Sequence, residues 1–104
     1  MKLRKMFVKE FSSLHESNSF VEQLQRILDL PESECIIFRN QSSDVINGHH
    51  LRYGMDLEIS IYNNAIFEGF HPCVEILIYH LDDLSLNEIL PYIFMEILSK
   101  MKEI

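Results

Sequence analysis

Residues 73–80 read CVEILIYH, and their alternation decides the fold. Val74, Ile76 and Ile78 fall on one face of a strand, and Cys73, Glu75, Leu77 and Tyr79 on the other. A wholly aliphatic face opposite a mixed one suits an antiparallel sheet with one side in the core and one side at least partly solvated. Working back along the chain, residues 52–62 repeat the pattern. Tyr53, Met55, Leu57, Ile59 and Ile61 point one way, and Asp56, Glu58, Ser60 and Tyr62 the other. Asn63-Asn64 tolerates positive φ and is expected to turn the chain. The return passes through Ala65-Ile66-Phe67 and is broken by Gly69 and Pro72 before the strand at 73–80 begins. Residues 34–39, ECIIFR, read as a further short strand. The polar stretch from Asn40 to His50, with Asn47-Gly48 as a turn signal, is expected to be a mobile surface loop, or in the functional reading the rim of an interface beside the acidic face.

Helices flank this sheet. Ser19 and Glu22 have the spacing of a capping box, and Phe20, Val21, Leu24, Ile27 and Leu28 trace one face behind it. Pro31 closes that helix, which places it at 19–29. A second box, Ser85 to Glu88, with Leu84 and Ile89 as a hydrophobic staple, opens a wide apolar face over 85–103. Pro91 interrupts it, at a cost of about 3 kcal/mol inside a helix. Either the helix kinks there, or 85–90 is a separate turn and Pro91 opens the main helix. At the N-terminus, Leu3, Phe7, Phe11 and Leu14 recur at helical spacing, which favours a helix over 2–14. Adjacent Met6-Phe7-Val8 supports the competing reading, a strand over 3–8. The order of elements implies an α+β single domain: an antiparallel sheet of three or more strands, covered on one face by helices, with a long C-terminal helix.

Size and composition agree. A chain of 104 residues makes one domain, and 47% apolar with 24% charged residues is ordinary for a globular protein. Two cysteines, Cys35 and Cys73, make no disulfide framework. The basic start, MKLRKMFVKEF, is followed by no signal-peptide core, and no window approaches the roughly 20 apolar residues of a membrane span. A soluble, cytoplasmic protein with no membrane partner is expected.

Charge is distributed unevenly. Between Arg52 and Lys100 there is no lysine or arginine, while Asp56, Glu58, Glu68, Glu75, Asp82, Asp83, Glu88 and Glu96 all lie there. Residues 1–10 carry +3 and the remainder −10, giving the net −7. Such a field repels phosphate backbones and attracts basic proteins, so no nucleic-acid partner is expected. No glycine-rich phosphate loop is present, since Gly48, Gly54 and Gly69 are scattered. His49 and His50 lack the spacing of a zinc module, and a site from His49, His71 and Cys73 has little to recommend it. Cys73 with His71 is the one pair suited to nucleophilic chemistry, and it would require a thiol of depressed pKa. The chain is therefore expected to be no enzyme and to hold no cofactor.

The mixed face is where binding is expected. Asp56, Glu58 and Glu75 share it with Tyr62, Leu77 and Tyr79, and rigid aromatics among charges anchor protein interfaces. Asp82 and Asp83 extend the acid onto the adjoining loop. An acidic α+β chain of this length, with the stretch YGMDLEISIYNN, the strand CVEILIYH and a capped C-terminal helix, resembles the small immunity proteins that bacteria encode beside polymorphic toxins. It is similar in particular to those of contact-dependent growth inhibition systems. The resemblance implies a non-enzymatic inhibitor of one cognate toxin domain, most often a nuclease whose basic groove suits an acidic partner. It carries no functional residue by motif. The partner-binding set is therefore Asp56, Glu58, Tyr62, Glu75, Tyr79, Asp82 and Asp83 on physical grounds alone. The alternative is a small homodimeric structural or regulatory subunit, motivated by the breadth of the apolar face over 86–101.

Overall fold

A computed structural model of the chain describes residues 2–29, 35–36, 45–53, 55–64 and 71–104. In chain order the elements are β1 (Lys2–Glu10), α1 (Leu14–Leu28), β2 (Cys35–Ile36), β3 (Val45–Tyr53), β4 (Leu57–Asn64), β5 (Cys73–Leu81), α2 (Leu86–Ile89), α3 (Tyr92–Ser99) and β6 (Lys102–Glu103). The six strands form one sheet in the order β2-β3-β4-β5-β1-β6, and each neighbouring pair is antiparallel. The fold is α+β with an antiparallel sheet, as the alternation of 73–80 implies.

The register explains the core. Ile59 lies opposite Ile78 and Ile61 opposite Ile76, while Phe7 of β1 lies on the other side of Ile76. These residues, with Leu57 and Val74, make an aliphatic sheet face packed against Val21, Leu24 and Leu28 of α1 and Phe94 and Leu98 of α3. Ile76, Ile78, Leu24 and Phe94 have no exposed surface. Burying each such side chain contributes about 1.5–3 kcal/mol, so this layer dominates stability.

The N-terminus is a strand, not the helix its spacing suggests. Of Leu3, Phe7, Phe11 and Leu14, only Phe7 is buried, and Leu3 is 44% exposed. β1 pairs along its whole length with β5, from Lys2 opposite Leu81 to Glu10 opposite Cys73. A helix there would leave the backbone edge of β5 without those partners. Tertiary pairing overrides a short periodic pattern.

The first helix begins earlier than its sequence box suggests. Ser13 caps α1, its hydroxyl accepting from the Glu16 amide at 3.2 Å. The Glu16 carboxylate accepts from the Ser12 amide at 3.3 Å and the Ser12 hydroxyl at 2.7 Å. Ser19 and Glu22 lie exposed within the helix. The helix ends at Asp29, whose left-handed φ of 53° turns its N–H back to the carbonyls of Gln25 and Arg26. Pro31, expected to end it, lies outside the described residues.

Residues 52–62 are a hairpin, not one strand. β3 ends at Tyr53, the chain turns at Met55 and Asp56, and Tyr53 faces Leu57 across the turn. Met55 is 89% exposed as a result. Asn63 and Asn64, expected to turn, are instead buried at the end of β4, where the Asn63 side-chain amide donates to Asn18 Oδ1 at 2.6 Å. Of the strand expected at 34–39 the described part is Cys35–Ile36. The polar stretch that reads as a loop is strand from Val45 onward, with a register shift between Val45 and Asn47 near the expected Asn47-Gly48 turn. Residues 40–44 and 65–70 lie outside the described residues.

There is no long C-terminal helix. Pro91 separates the four-residue α2 from the eight-residue α3 and heads the latter, its carbonyl accepting from the Met95 amide at 3.1 Å. The second of the two readings of Pro91 therefore holds. The Ser85 side chain makes no cap, and Glu88 N–H bonds to the Ser85 carbonyl at 3.2 Å instead. After α3 the chain leaves helical geometry and pairs with β1, Ile104 N–H donating to Met6 carbonyl at 2.8 Å. Among the described residues no helix is long and apolar enough to cross a membrane.

Candidate functional site

The sheet face away from the helices holds most of the expected binding residues. Alternation from the buried positions puts Glu58 and Tyr62 of β4 and Glu75, Leu77 and Tyr79 of β5 on it, all half-buried. The register sets Tyr79 opposite Glu58 and Tyr62 opposite Glu75. Met6 and Val8 of β1 continue the face, half-buried opposite Leu77 and Glu75. No helix among the described residues shares this side with the core cluster.

Three expected residues lie at the end of that face, not on it. Asp56 is exposed in the β3–β4 turn, and Asp82 and Asp83 are exposed in the turn after β5. Pairing of Leu57 with His80 brings the two turns to the same end of the sheet. None of the three acids has an ion pair among the described residues.

Sequence reasoning missed the cations. With β1 beside β5, the same alternation puts Lys2 and Arg4 on the outer face, and the β3–β4 register adds Arg52 opposite Glu58. Lys102 of β6 lies opposite Val8 on that side. The face is thus mixed in sign, and Asp56, Asp82 and Asp83 add negative charge at its end. Glu58 is the centre of the mixture. Its Oε1 takes Lys2 Nζ at 3.1 Å and Arg52 Nε at 3.2 Å. The hydrogen bond from Lys2, aided by the charges of Lys2, Arg52 and His50 and opposed by partial desolvation, holds its carboxyl below the ordinary carboxylate value. The signal was present in the alternation of Lys2, Arg4, Met6 and Val8, but it carries meaning only once β1 is read as a strand.

Neighbouring polar groups are structural. His50 Nδ1 lies 2.9 Å from Ser60 Oγ, across the β3–β4 pair. Cys73 is 5% exposed, and the Asn64 side-chain amide donates to its sulfur at 3.7 Å. Burial pushes the Cys73 thiol up, despite that hydrogen bond, which is the opposite of an activated thiolate. His71 is exposed before the strand. His80 points to the other face, into the core, where Nδ1 donates to the Leu81 carbonyl at 2.8 Å. Among the described residues no three His, Cys, Asp or Glu are grouped to hold a metal.

Comparison with protein families, curated proteins and solved structures finds no match to the chain.

Proposed function

We propose that this protein is a non-enzymatic immunity protein of the contact-dependent growth inhibition type, a cytoplasmic bacterial inhibitor that binds and neutralises one cognate toxin domain, a basic nuclease. The observation that carries the reading is the outer sheet face. Half-buried Met6, Val8, Tyr62, Leu77 and Tyr79 lie there beside three exposed carboxylates, Asp56, Asp82 and Asp83. Aromatic, methionine and arginine content with a charged rim is the composition of a protein interface.

The mechanism is occlusion. The unpaired aspartates and the net charge of −7 draw a basic groove to the sheet end, raising the association rate. Tyr79 and Leu77 then exclude water and set the lifetime of the complex. The nuclease loses its phosphate-binding surface to the inhibitor. The test is a pull-down with the product of the gene immediately upstream, followed by association kinetics at two salt concentrations. The triple variant Asp56→Asn, Asp82→Asn, Asp83→Asn is expected to associate about tenfold more slowly at low salt, with dissociation little changed. Tyr79→Ala is expected to shorten the complex lifetime by a similar factor. Absence of a complex overturns the function. A complex indifferent to all four substitutions overturns the surface.

A further inference from the structure

The helix side of the molecule carries a second surface that the core does not use. Pro91 breaks the C-terminal helical segment, and the break leaves a cleft of about 470 Å³ lined by Asn87 of α2 and Tyr92, Met95, Glu96 and Ser99 of α3. Tyr92 in the lining is 80% exposed, and Ile93 and Ile89 of the same two helices are 57% and 40% exposed. Exposed apolar side chains on the helices that line a cleft with polar groups at its edge mark an interaction site. The rim carries Glu96 with Lys100 beside it, and Glu88 lies next in sequence to Asn87. From Leu84 to Ser99 the chain carries Glu88 and Glu96 and no lysine or arginine. Glu88 is exposed and has no ion pair among the described residues. Glu96 is held by Lys100 at 3.7 Å, an exposed pair that an incoming cation can exchange.

We infer that the α2–α3 surface docks a basic amphipathic segment of a partner protein, an apolar side chain seating in the cleft against Tyr92 and Met95 while lysines or arginines meet Glu88 and Glu96. Charge selects this occupant over a second copy of the chain. A twofold contact would bring the unpaired Glu88 of two molecules of net −7 into one interface, where a basic segment would neutralise it. The inference rests on the proposed reading only in taking the natural partner to be a basic protein. The surface is distinct from the outer sheet face, because the helices lie on the other side of the sheet.

The experiment titrates the full chain with a synthetic helical peptide carrying leucines on one face and lysines on the other. A matched peptide with glutamates in place of the lysines is the comparison. The lysine peptide is expected to bind one-to-one, more weakly as salt rises, and at least about tenfold more tightly than the glutamate peptide. Tyr92→Ala with Ile93→Ala is expected to weaken binding about tenfold, and Tyr79→Ala to leave it unchanged. Both altered side chains are exposed, so the double variant keeps the core intact. Equal binding of the two peptides, an unaffected double variant, or loss only on Tyr79→Ala overturns the inference. So does a concentration-dependent dimer that the double variant dissolves, since the occupant is then a second copy. Toxin capture that fails while the lysine peptide still binds through Tyr92 removes the immunity reading and leaves this surface standing.

Discussion

The two faces of the central strand pair are written in the same residues, one position apart. On β5, Ile76 and Ile78 have no exposed surface, while Leu77 and Tyr79 between them are half-buried. On β4, Ile59 and Ile61 are 1% exposed, while Glu58 and Tyr62 stay half-open. The inner face is mainly apolar, with Asn63 and His80 buried among the aliphatics, and is closed by α1 and α3, so its energy is spent on holding the fold. The outer face mixes aromatics, aliphatics and both signs of charge, and contributes less to folding. A one-residue shift along a strand therefore separates residues that keep the protein folded from residues free to meet a partner.

Substitution sharpens this contrast most at its extremes. Phe94→Ala empties a site with no exposed surface in the helical layer over the inner face and is expected to cost about 3–5 kcal/mol in denaturant unfolding. Tyr79→Ala on the outer face is expected to cost about 1 kcal/mol or less by the same measurement. Comparable losses from both would mean that the outer face is as much core as the inner one. A chemical probe comes next in size. With Cys35 replaced by serine, Cys73 is expected to alkylate slowly in the folded protein and rapidly once denatured, because burial raises its thiol pKa and shields it. Rapid labelling of the native chain would restore the thiol as a reactive group.

The smallest effect concerns the ion set on the outer face. Lys2 and Arg52 hold the Glu58 carboxyl below its ordinary value of 4.5. A depressed folded pKa stabilises above the unfolded value, and that contribution is lost as the pH falls through the folded one. Glu58→Gln is thus expected to lower the melting temperature slightly at neutral pH and not at all in strong acid, with high salt narrowing the difference. A penalty that persists unchanged into strong acid would assign the effect to packing instead of charge.

How far the sequence can be read follows the same division. The face of β5 was legible because its alternation is uninterrupted, and partner choice for β4 followed from it. Glu58, Tyr62, Glu75 and Tyr79 were correctly expected on one surface. Asp56 was misplaced because Met55, Leu57 and Ile59 keep period-two spacing straight through a hairpin turn, so the pattern does not reveal the reversal. The N-terminal strand was hidden for a different reason. Its only buried residue is Phe7, and its identity as a strand comes from β5, which lies far along the chain. With it went Lys2 and Arg4, two of the four cations of the outer face, so a surface read as acidic is mixed. Pro91 was legible as a break, and the choice between a kink and two helices was settled by packing that no local rule contains.

The position of β1 between β5 and β6 has a consequence for how the chain is made. Phe7 finds Ile76 only after 69 further residues have been made, and Glu103 only 27 residues later still. Long-range pairing of this kind slows folding, and a waiting strand is exposed to the wrong partners. Lys2, Arg4, Lys5 and Lys9 make that wait safe. Four positive charges on nine residues keep the nascent strand hydrated and apart from its copies until β5 emerges.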